Sequence, residues 1–315
     1  MSSIIASVLA GLCIILSTSL SGCSKDDGSG SSTSNAGISL NDALGREVLF
    51  ERPAERVVSL SPAVTEILYA IGAGDKVVGV TIYDNFPPEV KGKEKVGDFS
   101  NPSMERIISL RPDVVFISPT QKTERLARAE TLGLKIVAVH PVNLPEVYEA
   151  IKLIGKVVGE EQRSVLLVKK MMGEFSQLKR LVSQIPRGKR RRVYIELSQD
   201  PFWTAGKSSF VGQLVEVAGG DNIADLPLPY GTINPEVIIQ KDPEVIIIAH
   251  PGIKRDEVGR RLGWARITAI QTGRVYDDID VDMIIRYGPR LGQGARDLFK
   301  RFYPEMVNPD SENTE

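Results

Sequence analysis

One segment of this 315-residue chain occurs twice. Glu105-Arg-Ile-Ile-Ser-Leu-Arg-Pro-Asp-Val-Val-Phe-Ile lines up with Glu236-Val-Ile-Ile-Gln-Lys-Asp-Pro-Glu-Val-Ile-Ile-Ile. An offset of 131 carries Pro112 onto Pro243 and Glu105 onto Glu236. Each copy is an acid-headed helical segment, a Pro-acid corner that ends it, and an apolar run short enough to be a buried strand. A chain that repeats this unit on either side of its middle is constrained to two similar halves.

Both halves alternate strands and helices. In the first, RVVSL (56–60) and VVGVT (77–81) read as strands around a helix that starts at Ser61-Pro62, an N-cap and first-turn proline. A helix from Asn101-Pro102 leads to the strand DVVFIS (113–118), helix 122–132 to KIVAVH (135–140), and helix 144–158 closes the half. In the second, the strands are RVYIEL (192–197), EVIIIAH (244–250) and RVYDD (274–278). Helices in SSFVGQLVEVAGG, NPEVIIQK and Gly288 to Phe302 lie between and after them. Short apolar strands alternating with helices argue for parallel sheets covered on both faces. The expected fold class is therefore α/β, with two Rossmann-like lobes joined by one long α-helix.

That helix is Glu160 to Ile185. Val168, Met171, Phe175, Leu178, Val182 and Ile185 recur at steps of three and four, one apolar face, with Lys169, Lys170, Glu174, Lys179 and Arg180 between them. Gly159 precedes the run and Pro186 ends it. Gly173 in its interior costs about 1 kcal/mol against Ala. At 1.5 Å per residue the helix would be roughly 39 Å long. It reads as a strut between lobes; the alternative is an ordinary surface helix of a single domain.

The ends of the chain are different in kind. Ile4 to Leu16 is an apolar run too short to span a bilayer comfortably, followed by Leu20-Ser21-Gly22-Cys23. Small residues before a cysteine after such a run resemble a bacterial-type lipobox, which implies cleavage before Cys23 and a lipid on it. The n-region carries no Lys or Arg, and an uncleaved anchor is the alternative. Cys13 would be lost with the signal, leaving one thiol and no disulfide or cysteine-ligated metal site. Lys25 to Gly37 is a polar Gly/Ser tether whose thirteen residues reach roughly 20 Å. The expected organisation is a signal peptide at 1–22, an anchored linker at 23–37, and an N-terminal lobe at 38–159. The interdomain helix follows at 160–186, then a C-terminal lobe at 187–307 and a polar tail at 308–315.

Charge excludes one class of partner: 39 basic and 40 acidic residues give no electrostatic footprint for nucleic acid. The run RGKRRR (187–192) reads as a solvated turn. Catalytic motifs do poorly. Gly72-Ala73-Gly74 precedes a strand instead of following one, and Gly206-Lys207-Ser208 lacks the earlier glycine of a phosphate loop. There is no G-x-S-x-G elbow. The only histidines, His140 and His250, end predicted strands and are not paired by the repeat; each reads as a hydrogen-bonded structural residue or a cleft residue. No metal site is expected.

The loops instead offer aromatics and cations: Tyr83 and Phe86, Phe99, Phe202-Trp203, Tyr230, and Arg286-Tyr287. Strand-end loops are where α/β sheets place ligand contacts, and such side chains suit a large, partly apolar planar ligand. Any one of them alone would fit in a core equally well.

These same segments, RVVSLSPAVTEILYAIGAGDKVVGVTIYDNFPPEV, VGDFSNPSMERIISLRPDVVFIS, DPFWTAGKSSFVGQLVEVAGGDNIA and Arg286-Tyr-Gly-Pro-Arg290, resemble ABC-transporter substrate-binding proteins. The resemblance covers Arg56 to Tyr303 and is to the class built on a rigid interdomain helix, within it the cobalamin-binding branch. It implies cobalamin contacts at Tyr83 and along Asp282, Met283, Ile284, Ile285 and Arg286. It also implies cleft aromatics at Phe99, Trp203 and Tyr230, of which Phe99 and Tyr230 replace tryptophans. Glu105 and Glu236 match one acid per lobe that docks onto arginines of a permease; the plain alternative is that each complements its helix dipole. The implied protein is an extracytoplasmic, lipid-anchored binder that performs no chemistry and needs no cofactor. It captures a corrinoid and delivers it to an ABC permease dimer with its ATPase subunits. A ferric siderophore or haem is the alternative cargo, and a membrane-tethered enzyme is the remote alternative.

Overall fold

The computed structural model describes residues 37–98, 100–118 and 129–307. Cys23, the signal and tether, Phe99, most of the helix expected at 122–132 and the tail at 308–315 lie outside the described residues. A hairpin of β1 (Ile38–Asn41) and β2 (Glu47–Phe50) opens the described chain. Its turn is built on Asp42, whose carboxylate accepts from the N–H groups of Leu44, Arg46 and Ala138. The last of these ties the hairpin to the first lobe.

That lobe holds β3 (Val57–Ser59), α1 (Pro62–Ala70), β4 (Val77–Val80), β5 (Glu94–Lys95), α2 (Met104–Ser109), β6 (Val114–Ile117), β7 (Ile136–Ala138) and α3 (Leu144–Val158). Its sheet runs β5-β4-β3-β6-β7 and every pairing is parallel. β3 and β6 are buried on both faces, as apolar runs covered by helices must be. α2 starts later than Asn101-Pro102 suggested, because Ser103 caps it by accepting from the Arg106 N–H.

After α4 (Glu161–Val182) the second lobe follows: β8 (Arg192–Gln199), β9 (Phe202–Ala205), α5 (Phe210–Val217), β10 (Asp221–Asn222), β11 (Tyr230–Thr232), α6 (Pro235–Lys241), β12 (Val245–Ile248) and β13 (Val275–Tyr276). Short helices at Arg255–Val258 and Thr268–Gln271 lie between β12 and β13, and α7 (Asp282–Ile285), α8 (Leu291–Phe302) and a last turn at Pro304–Val307 follow. β10, β8, β12 and β13 pair in parallel, whereas β9 and β11 add antiparallel to the far half of β8. The lobes thus share a parallel α/β core and differ at one sheet edge.

The internal repeat is physical. β6 and β12 are 131 residues apart, and so are Arg111 and Asp242, the two non-glycine residues at positive φ among the described residues. Each sits at the corner between helix and strand. At both corners an arginine from the neighbouring strand segment reaches in: Arg56 Nε donates to the Leu110 carbonyl at 3.0 Å and Arg192 Nε to that of Asp242 at 2.8 Å. The acid after each proline accepts from that arginine's own N–H, Asp113 from Arg56 and Glu244 from Arg192.

α4 buries Val168, Met171, Phe175, Leu178 and Val182 of the apolar face read from the sequence, adds Ser164 and Leu167 to it, and leaves Ile185 beyond its end and partly buried. At 1.5 Å per residue it is roughly 33 Å long. Its end is shorter than Ile185 because Gln184 and Ile185 close onto Leu181 and Val182 in tighter three-residue turns before Pro186. α4 packs on α3 from the first lobe and on α5 and α8 from the second. Gly155 of α3 sets one close approach, since a Cβ there would lie 2.4 Å from Ser164 Oγ. One hydrophobic core runs from Val57 of the first lobe through α4 to Phe302.

Candidate functional site

Four chain segments converge where the lobes meet. α1 is buried along Ala63 to Leu68, and Glu66 is the single acid in that apolar stretch. An unpaired carboxylate there would be costly. Its partners come from the other lobe: Arg290 Nε donates to Oε2 at 2.8 Å and Nη2 to Oε1 at 2.7 Å, while Arg286 Nη1 donates to Oε1 at 3.0 Å. Arg290 also meets Asp280 at 3.0 Å, and its guanidinium lies 4.4 Å from the centre of the Phe86 ring. The hydrogen bond to Glu66 raises the Arg290 pKa against the effect of burial, with Asp280 and Asp282 adding to it.

Arg286 carries the network outward to the loop after β4. It donates to Asn85 Oδ1 at 2.7 Å and to the Tyr83 carbonyl at 3.3 Å, and pairs with Asp282 at 2.9 Å. Asn85 Nδ2 closes the ring by donating to Asp282 Oδ2 at 2.9 Å. The loop is shaped from within by Asp84, which accepts from the Thr81 N–H and hydroxyl. Beneath it the Tyr287 hydroxyl donates to the Val139 carbonyl at 3.2 Å and lies 3.3 Å from Ser61 Oγ. Phe210 N–H donates to the Val142 carbonyl at 2.7 Å. The strut is therefore joined by direct bonds between the lobes.

A cavity of about 650 Å³ opens beside this seam at the carboxyl end of β12. Its lining includes His250, Lys254, Glu257, Asp277, Asp282 and Ile285. His250 is both a wall residue and a bonded one: Nε2 lies 3.0 Å from Glu196 Oε1 and Nδ1 2.7 Å from the Pro251 carbonyl. Glu196 is fully buried and is also held by Arg261 through two bonds of 2.6 and 2.7 Å. Arg261 in turn lies over the rings of Phe202 and Trp264. His140, by contrast, is exposed beside the Asp42 hairpin. Among the described residues no group of three His, Cys, Asp or Glu side chains is placed to hold a metal ion.

The structure brings Tyr83, Asp282 and Arg286 together and sets Ile285 on the cavity wall. Tyr83, Trp203 and Ile285 keep 48%, 40% and 38% of their surface exposed. Ile284 is turned fully into the core, so its side chain packs instead of lining the cavity; at 3.6 residues per turn its neighbour Ile285 is rotated about 100° away, toward the cavity. Trp203 and Tyr230 lie on one face of the β9–β11 ladder, where Trp203 pairs with Thr232 and Tyr230 with Ala205. Tyr230 stacks edge-on against Phe210, and burial pushes its hydroxyl well above the usual value against hydrogen bonds to Ser209 and Val211. Glu66, Asn85 and the Glu196 cluster were not read from the sequence. The available signal was PAVTEILYA, a helix whose one acid has no polar face to belong to.

Glu105 and Glu236 occupy the first turns of α2 and α6, both exposed, each two residues before a fully buried isoleucine, Ile107 or Ile238. They are equivalent points on the two lobes.

Residues 57–280 match the model of a family described as periplasmic binding protein. The chain is 34% identical to an uncharacterized ABC transporter substrate-binding lipoprotein, YvrC, of Bacillus subtilis, over 93% of this chain and 95% of that one. It is 30% identical to the vitamin B12-binding protein of Vibrio cholerae, over 76% and 85% of the two chains. Among solved structures, the periplasmic haem-binding protein RhuT from Roseiflexus sp. RS-1 superposes with a TM-score of 0.69 at 29% identity, covering 80% of this chain and 98% of that one.

Proposed function

The chain belongs to the periplasmic binding protein family and is similar to substrate-binding components of ABC importers, and from that premise we propose that its cargo is a corrinoid, held at the seam between the lobes. The observation that carries this reading is the charge state of the wall. Arg286 and Arg290 face three carboxylates, Glu66, Asp280 and Asp282. The cavity beside them sets Lys254 among Glu257, Asp277 and Asp282. Such a wall offers half-exposed Tyr83, Trp203 and Ile285 and many hydrogen-bonding groups, but no surplus of positive charge. A broad ring fringed with neutral amides suits it. Haem propionates or an anionic ferric siderophore would call for free cations. In this reading Tyr83, Trp203, Ile285 and the Asp282-Met283 backbone supply the contacts, with Phe99 and Tyr230 as flanking aromatics.

Delivery follows from the exposed acids. Glu105 and Glu236, one per lobe, dock on basic groups of a permease dimer served by ATPase subunits, and a lipid on Cys23 keeps the protein at the outer face of the membrane. The protein binds and hands over; it makes no bond.

Calorimetric titration with cyanocobalamin, haem and a ferric hydroxamate tests the cargo. Saturable binding of cyanocobalamin at least tenfold tighter than of the others is expected, a difference of about 1.4 kcal/mol. No heat with cyanocobalamin, or tighter binding of haem, contradicts the corrinoid reading. Replacing Glu105 and Glu236 together with Ala should abolish uptake in cells and leave the titration curve unchanged; an equal fall in affinity would remove the docking role.

A further inference from the structure

Among the described residues, Glu66 differs from the other acids of the seam, Asp280 and Asp282, in having its carboxylate bonded only from the opposite lobe. Both its oxygens are taken by Arg286 and Arg290, which lie 220 and 224 residues away in the chain. Around it α1 buries Ala63, Val64, Ile67 and Leu68, and the hydroxyl of Thr65, the other buried polar side chain of α1, is bonded to the Ser61 carbonyl. If the lobes parted, the Glu66 carboxylate would lose both its arginines, while Arg286 and Arg290 would keep only Asp282 and Asp280 of their own lobe.

We propose that Glu66 is the positioning residue that sets the gap between the lobes and, through Arg286, the place of the Tyr83 loop on the cargo wall. The two arginines divide the task. Arg290 is the fixed arm: its planar fork meets both Glu66 oxygens, Asp280 holds its third corner, and Phe86 covers its face. Arg286 is the outer arm. Its Nη1 is shared between Glu66 and Asn85, and its Nη2 between Asp282 and the Tyr83 carbonyl. A displacement of Glu66 is thereby passed through Arg286 to the backbone of Tyr83. The clasp holds whatever the cargo is.

Spin-label distance measurements on the full-length chain test this directly, with Cys13→Ser and Cys23→Ser and labels introduced by Lys91→Cys in one lobe and Lys241→Cys in the other, both exposed. With Glu66 intact one narrow distance is expected. Glu66→Gln keeps the shape and removes the charge; it should broaden the distribution about twofold and extend it to longer distances. Glu66→Asp keeps the charge on a shorter arm and should restore a single narrow peak at a shorter distance. An unchanged distribution in Glu66→Gln overturns the proposal. Should that variant fail to fold, Arg286→Gln, which leaves the Arg290 fork in place, should broaden the distribution less than twofold, and no change there together with no shift in Glu66→Asp overturns it equally. No cargo is present in these measurements, so their failure and that of the corrinoid reading are separable.

Discussion

Two buried carboxylates do opposite things in this protein. Glu196 is satisfied within one lobe, by Arg261 from the same lobe and by His250 at the end of the neighbouring strand. Among the described residues, Glu66 is satisfied only across the seam, by Arg286 and Arg290. The chemistry is the same, a carboxylate against a guanidinium fork, with an aromatic face behind it in each case: Phe202 and Trp264 for Arg261, Phe86 for Arg290. What differs is the sequence distance the pair spans and therefore what it holds. The first fixes the interior of a lobe, the second fixes one lobe to the other.

The largest effect is expected where that contrast is cut from the intralobe side. Glu196→Gln leaves the partly buried Arg261 without its charge partner and should cost about 3 kcal/mol of stability, measured by chemical denaturation. The distance between the lobes should stay as it was. If Glu196→Gln widened the lobe distribution as Glu66→Gln is expected to, the division between the two carboxylates would be wrong.

The division also marks what the sequence reveals. The corner shared by Arg111-Pro112-Asp113 and Asp242-Pro243-Glu244 is legible because its causes are local: a helix stopped by proline, an acid that caps the next strand's neighbour, then four buried apolar residues. α4 is legible because its buried face follows a 3.6-residue period. β9 and β11 were not read, since four and three residues in a Gly- and Pro-rich stretch carry too little periodicity to register. Glu66 was not read because its partners lie more than two hundred residues on, and no local pattern reports a contact of that range. Of the site, Tyr83 and Arg286 were singled out as strand-end loop residues and Asp282 by resemblance; that Arg286 spends its donors on Glu66, Asn85, Asp282 and the Tyr83 carbonyl is visible only in three dimensions.

A smaller effect belongs to the neutral bond beneath the clasp. Burial pushes the Tyr287 hydroxyl up to about 12, partly offset by its bond to Ser61. A folded value raised above the ordinary value near 10 means that the neutral form is favoured in the fold. Its contribution is complete below pH 10 and is lost as pH rises from about 10 through 12. Tyr287→Phe removes the bonds to Val139 and Ser61 and should cost about 1 kcal/mol at neutral pH. The variant should also lose less stability than the parent protein between pH 10 and 12. An alkaline stability profile identical in both would show that this hydroxyl carries no part of the seam.

A continuous helix and crossing ion pairs both oppose a hinge, so little relative movement of the lobes is the expected response to cargo. The most direct measurement is the same interlobe spin-label distance in the otherwise unaltered chain, with and without saturating cyanocobalamin. The account predicts one narrow distance in both states, displaced by no more than about 2 Å. A cargo-dependent jump between two well-separated distances would contradict it.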